Sequence, residues 1–411
     1  MIAAPPVRRP ILALAATLSV QAGATLALTA PSVMAPAVAP ELGLPPQRIG
    51  WFVGLAYLSA MFSGLVAGRR LGTGVAIPMS RAAVLACIAG LLLAAAAGTA
   101  SPWLLLPAAV AIGTGYGLPN PAASVVLAVH APAHRRGLFF SIKQTGVPVG
   151  VGLAGVLVPP LLAALGWRWT LVALAAGCAL LWLALAGARV LDDAGPRAAP
   201  PAGDGPRAGV AAVVAETLAP LAEVWRTPAL RRLGIASFAY SATQLCFVTF
   251  LVSRLALEQG MGLAAAAGLL AVSQATSVGC RVLWGQVADR FLSPLRLLAL
   301  LGLAMSVSVL ALGMLPAGGS AGATLAVVLA CAASAMSWNG VFYAELARRI
   351  EPARLGTVTG GTQFLTFCGA MAGPVAFSLL VAPLGSHGAV YALIAAVPLA
   401  VGLRLAAAWR D

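Results

Sequence analysis

Leu191-Asp-Asp-Ala-Gly-Pro-Arg-Ala-Ala-Pro-Pro-Ala-Gly-Asp-Gly-Pro-Arg207 is a polar, Pro/Gly-rich stretch with no means of packing a core. It interrupts a chain that is otherwise apolar. Of the 411 residues, 61% are hydrophobic and only 9% are charged, and mean hydropathy is +0.96. A water-facing domain carries roughly 25% charged residues, so this polypeptide belongs in a bilayer. Windows of about 20 apolar residues, each long enough to cross the hydrocarbon core, fall on both sides of the stretch. Before it they lie at 11–38, 48–67, 80–99, 103–130, 137–165 and 168–190. After it they lie at 232–256, 262–288, 294–315, 320–347, 355–382 and 386–408. The expectation is an all-α membrane protein with 12 transmembrane helices: a six-helix bundle over 1–190, a linker over 191–228 with a surface helix near 210–226, and a second bundle over 229–411.

The start, Arg8-Arg9-Pro followed by Ile11-Leu-Ala-Leu-Ala-Ala, has the flavour of a secretory signal. Its apolar run continues through Ala39, too long for a signal core, so it reads as the first span. Arginines set the orientation. Arg48, Arg168 and Arg254 alone lie in loops on one side, and Lys143 and Arg281 lie within spans; the others gather at the termini, the linker and the alternate loops. By the positive-inside rule both termini and the linker are cytoplasmic, in the plasma membrane, which for a bacterium is the inner membrane. The net charge of +14 therefore expresses topology, and no nucleic-acid partner is expected.

Polar residues inside the spans recur at a nearly constant offset. The two asparagines, Asn120 and Asn339, lie 219 positions apart, as do Gln144 and Gln363; Gln21 and Gln244 are 223 apart. Gly64 and Arg69 match Gly285 and Arg290 at 221. A six-span unit occurring twice produces this pattern, and such repeats mark secondary transporters. Amides that merely glue helices together would explain one or two of these residues but not their pairing across halves.

Charge singles out two positions. The chain has one lysine, Lys143, against 24 arginines, and it sits in the apolar, Gly-rich stretch Gly137-Leu-Phe-Phe-Ser-Ile-Lys143-Gln144. An ammonium within a span costs about 3 kcal/mol by insertion scales and is rare without a task, although a snorkelling lysine is the plain alternative. Arg281 is the second such cation, roughly 12 Å of helix rise before Asp289. The eleven acids all lie in loops, tails or span ends. Two cations without a mid-span carboxylate favour an anionic substrate, and a guanidinium fork suits a carboxylate. Cation carriers need a buried acid; span 1 offers only Gln21, Thr25 and Thr29.

Gly285-Gln-Val-Ala-Asp289-Arg290 resembles the Gly-x-x-x-Asp-Arg signature of the major facilitator superfamily, and Gly64-Leu-Val-Ala-Gly68-Arg69-Arg70 is its counterpart with Gly68 in place of the aspartate. Arg136-Gly137 and Gly166-Trp167-Arg168 also resemble family habits. The resemblance implies two bundles rocking about a central cavity, in a chain expected to act as a monomer. Arg-x-x-x-Gly-x-x-x-Asp in span 8 resembles monocarboxylate transporters, where that arginine contacts the substrate carboxylate. A lysine–arginine pair resembles the oxalate:formate antiporters, with Lys143 in span 5 where they use span 11. Gly360, Gly369 and Gly373-Pro374 in span 11 resemble an antiporter pattern normally found in span 5.

The expected substrate site therefore comprises Lys143 with Gln144 and Gln21, Arg281 with Gln244 and Gln363, and Asn120, Asn339, Tyr240, Trp338 and Tyr343 shaping the pocket. Gly285, Asp289, Arg290, Glu345 and Arg69 form an expected gate, with Arg290 paired to Glu345 or Asp289. His130 and His134 fall at an interfacial span end. Coupling stays open among proton symport, exchange with a counter-anion and facilitated diffusion. An exporter of amphipathic drugs and a non-transporting receptor are the rival readings. No phosphate loop or His/Cys/Asp metal cluster is present in the sequence, so no enzyme, cofactor or metal is expected.

Overall fold

The computed structural model describes residues 9–70, 76–98, 101–132, 136–192, 221–222, 224–349 and 352–408. Among them no residue is in a strand, and nine helices are long and apolar enough to cross a membrane. Each of the twelve expected spans falls on a described helix or pair of helices. Span 1 is Pro10–Glu41, span 2 Ile49–Arg70 and span 3 Ala76–Ala96. Span 4 comes in two pieces, Leu105–Gly117 and Pro119–His130, and span 5 begins as Arg136–Gln144 and resumes at Gly146. Helix Gly146–Ala184 holds both the rest of span 5 and span 6, which part at Gly166, φ 73°. This left-handed conformation favours glycine because it has no Cβ.

In the second half, span 7 is Pro228–Ser253 and runs on as a π-helical turn, Arg254–Glu258. Span 8 is Leu263–Arg290, span 9 Pro294–Met314 and span 11 Pro352–Leu384. Span 10 is broken into Ala321–Ala335 and Asn339–Arg349, and span 12 into His387–Ile394 and Ala396–Ala408. The breaks in spans 4 and 10 fall at repeat-related places, and in each the second piece begins beside an asparagine. At span 4 the cause is local: Pro119 and Pro121 lack the N–H that would continue the ladder. Span 10 has no proline there. Its open turn is stitched by Ser337 Oγ, 2.9 Å from the Ala332 carbonyl and 3.3 Å from that of Ser277.

Glycines let neighbouring spans approach backbone to backbone. A Cβ on Gly150 would stand 2.4 Å from Ala22 O in span 1, and one on Gly369 would stand 2.1 Å from Phe238 O in span 7. These glycines are 219 apart, so the same contact is built in each half. Two of the antiporter-like glycines of span 11, Gly369 and Gly373, thus have a packing role. Gly369→Val must push backbone from backbone, with a cost of roughly 1–3 kcal/mol or more. We expect a marked fall in monodisperse protein after detergent extraction. A normal yield with an unchanged thermal midpoint would refute the close contact.

Two compact units emerge, one of Met1–Pro31 with Leu55–Arg207, the other of Ser32–Gly54 with Ala208–Asp411. The end of span 1 and the start of span 2 therefore group with the second unit. Within that unit, a Cβ on Gly50 would meet Pro374 O at 2.1 Å and one on Gly54 would meet Val375 Cγ2 at 2.3 Å. Ser378 Oγ also donates to Gln47 O at 2.6 Å.

Candidate functional site

In the first unit the sole lysine is the centre. Lys143 is 2% exposed. Its Nζ donates to Gln21 Oε1 at 2.9 Å and to Asn120 Oδ1. Gln21 is fully buried and its Nε2 lies 3.5 Å from Thr25 Oγ1, which leaves the carbonyl oxygen for the lysine. Asn120 sits at the start of the second piece of span 4. The head of Lys143 is thus held by amides of spans 1 and 4, not free to snorkel. Gln144, expected to work beside it, is exposed instead. Consecutive residues on a helix point about 100° apart, so adjacency in sequence does not place two side chains together.

The second unit repeats the amide pairing without the cation. Gln244 Oε1 accepts from Trp338 Nε1 at 2.9 Å and from Asn339 Nδ2 at 3.4 Å. The repeat-related Gln/Asn pairs therefore meet in each unit, through Lys143 in the first and directly in the second. Tyr343 OH donates to Gln363 Oε1. Trp338 is buried and meets Tyr240 and Phe342 edge to face, with ring centroids 5.6 and 5.7 Å apart. The Tyr240 hydroxyl is committed to Leu298 O at 3.0 Å.

Arg281, expected to act with Gln244 and Gln363, has a different described partner. Its Nε and one terminal nitrogen donate to Met336 O at 3.1 and 2.9 Å. That carbonyl is released by the break in span 10, so the arginine braces the open turn. Trp284, one helical turn on, donates to Ala333 O at 2.7 Å.

At the expected gate, Glu345 is fully buried. Its carboxylate is taken by Arg348 at 3.1 Å and by Arg349, three and four residues along its own helix, where side chains meet without any loop having to close. Arg290 is exposed, and a Cβ on Gly285 would have open space around it. The side chains of Asp289 and Arg69 lie outside the described residues, as does His134. His130 stands at the end of its helix, Pro119–His130. It is fully buried, with Nε2 2.9 Å from Leu191 O and Nδ1 accepting from Arg9 N at 3.2 Å.

Sequence reasoning missed one cluster. Glu258 accepts from Arg254 at 3.0 Å, Ser386 Oγ at 2.9 Å, His387 Nδ1 at 2.8 Å, Gly388 N at 3.1 Å and His387 N. Arg254 reaches onward to Leu315 O at 2.6 Å. These residues tie together ends of spans 7, 9 and 12. The minority position of Arg254 in the arginine count was the only hint.

A recess of about 380 Å³ among spans 1, 5 and 6 is lined by Gly23, Leu26, Leu157, Leu174, Gly177 and Leu181 among others. It presents no charged group, so it is unsuited to an anion. Among the described residues no group of three or more His, Cys, Asp or Glu could hold a metal.

Twelve apolar spans in two sequence halves, each half with a span broken beside an amide cluster, define a membrane transporter rather than an enzyme. Residues 17–374 match the Major Facilitator Superfamily, and the chain belongs to that family. Solved structures share the fold. A POT family transporter in complex with 5-aminolevulinic acid has a TM-score of 0.78 at 13% identity, over 96% of this chain and 95% of that one. The peptide transporter POT in complex with sulfate has 0.76 at 19%, over 97% and 94%. A bacterial homolog to the human lysosomal transporter Spinster, inward-facing and unoccupied, has 0.70 at 17%, over 97% and 95%. No curated protein is similar enough to match the chain.

Proposed function

We propose that this transporter carries a small organic anion, most simply a carboxylate, by alternating access. The observation that carries the reading is Lys143: a buried cation held only by neutral amide carbonyls among the described residues. The first 190 residues contain a single acid, Glu41, which leaves no intramembrane carboxylate in that half to compensate the charge. A buried cation without an internal partner is an attractive site for an anion brought from outside, and binding it lowers the cost of occlusion. Both termini face the cytoplasm in this reading, as the arginine distribution supports.

The test is uptake into proteoliposomes of a labelled panel of lactate, oxalate, succinate and benzoate, with a lipophilic cation dye as the contrasting substrate. Saturable uptake of at least one carboxylate, inhibited by the others, is the expected result. Movement of the dye with no carboxylate uptake would replace the anion reading with drug efflux.

A further inference from the structure

We propose that Trp338 is a positioning residue for the transported anion. By donating its indole N–H to Gln244, it turns that amide so that N–H groups, and not a carbonyl, are presented to the substrate. The inference rests on the carboxylate reading above and deepens it by naming what the second unit offers the anion.

The chemistry of the indole is the first argument. A glutamine amide can present either an acceptor oxygen or a pair of donors, and its two ends have nearly the same shape. An anion is attracted by one end and repelled by the other, so an anion site needs a group that makes the choice. An indole nitrogen can only donate. Trp338 is 1% exposed, with Nε1 2.9 Å from Gln244 Oε1. Turned over, the amide would set its own N–H groups against the indole and leave a buried donor unsatisfied, which is the costly arrangement. The oxygen therefore faces the indole. Asn339 Nδ2, 3.4 Å from the same oxygen, adds a second donor to it.

What this leaves is the second argument. Gln244 is half-buried, and neither N–H of its Nε2 has an acceptor among the described residues, since both partners of its side chain donate to the oxygen. Donors fixed in one orientation before the anion arrives cost little to order on binding. The indole is itself held. Tyr240 and Phe342 meet its ring edge to face, and Tyr240 is anchored through Leu298 O.

The first unit supplies the third. There Gln21 Oε1 and Asn120 Oδ1 both face the nitrogen of Lys143, so these amides also have their oxygens taken by a donor. The half-buried Asn120 keeps its own N–H groups without an acceptor among the described residues. The two donors are not repeats of one another. The offset of 219 that relates the asparagines carries Trp338 onto Pro119 and Lys143 onto Thr362. Duplication explains why both halves have the amides, but not why each half has its own donor to take up their oxygens. A common demand for N–H groups facing the anion explains both.

The test is a double-mutant cycle in proteoliposomes, read as KM and maximal rate with lactate, oxalate, succinate and benzoate tried in turn. Two changes remove the donor. One is Trp338→Phe; the other places benzothienylalanine at that position, with sulfur instead of the indole N–H and almost the same shape. Each should raise KM about tenfold with the maximal rate within roughly twofold of wild type, the scale of one hydrogen bond to a charged group. Gln244→Leu should raise KM at least as much. In the Gln244→Leu background the benzothienyl replacement should change KM by less than about twofold, because Trp338 acts through the amide. An equal rise in both backgrounds would overturn the proposal and make Trp338 a packing residue, leaving the carboxylate reading intact. A wild-type KM in the benzothienyl protein would do the same. Movement of the cationic dye with no carboxylate uptake would overturn the carboxylate reading itself, and the proposal with it.

Discussion

Lys143→Ala should lower carboxylate uptake by roughly 30-fold or more, because truncating one member of a buried charge pair costs about 2–5 kcal/mol. The folded amount should hardly change. The lysine contributes hydrogen bonds to two amides that would remain on spans already joined by the close approach at Gly150, and removing a buried amine also removes a desolvation cost. Lys143→Arg should bind the anion better than Lys143→Gln, since arginine keeps the charge and glutamine does not. Affinity and uptake are measured separately, by thermal shift of the detergent-purified protein and by proteoliposome flux. Wild-type affinity in Lys143→Ala would remove this residue from the substrate site.

Glu258→Ala should produce the largest loss of stability, about 3–5 kcal/mol, the scale for breaking a buried ion pair by removing one partner. Arg254 is 5% exposed and Glu258 21%, so the orphaned guanidinium would stay largely out of water. The same carboxylate accepts the backbone N–H of His387 and Gly388 at the start of span 12, where a negative group satisfies donors and favours the helix dipole. Glu258→Gln should lie between the two, because it keeps an acceptor oxygen but not the charge. All six cysteines are free and buried or half-buried, so the onset of thiol labelling on heating reports loss of the fold. An unchanged midpoint in Glu258→Ala would show that the cluster is not a structural tie.

The amide pattern shows how far reading by position reaches. Asn120 with Gln21, and Asn339 with Gln244, could be singled out because the spans are otherwise so apolar that each amide is conspicuous, and the offset of about 220 marks them as repeats. Their meeting in each unit follows from the repeat. Lys143 was legible for the same reason, as a charge where charge is expensive. Gln144 follows Lys143 in the chain but is exposed where the lysine is buried, because successive helix positions point in different directions. Arg281 and Glu345 were legible as unusual residues but not in their pairings. The described partner of Arg281 is a carbonyl made available only because span 10 opens at Met336, and no proline announces that opening. The partners of Glu345 are on its own helix, within three or four residues, and were overlooked in favour of a longer-range pair.

What the sequence determined alone was therefore what must sit in lipid, how often the chain crosses it, that the crossing unit occurs twice, and which polar residues are too costly to be incidental. These are properties of composition and spacing, because transfer into hydrocarbon is paid residue by residue. Tertiary structure alone decided the partners: Glu258 with the start of span 12, His130 with Leu191, and Lys143 with two neutral amides. Such contacts depend on which helices abut and on how each is rotated about its axis, where a 100° step per residue turns neighbours in sequence away from one another.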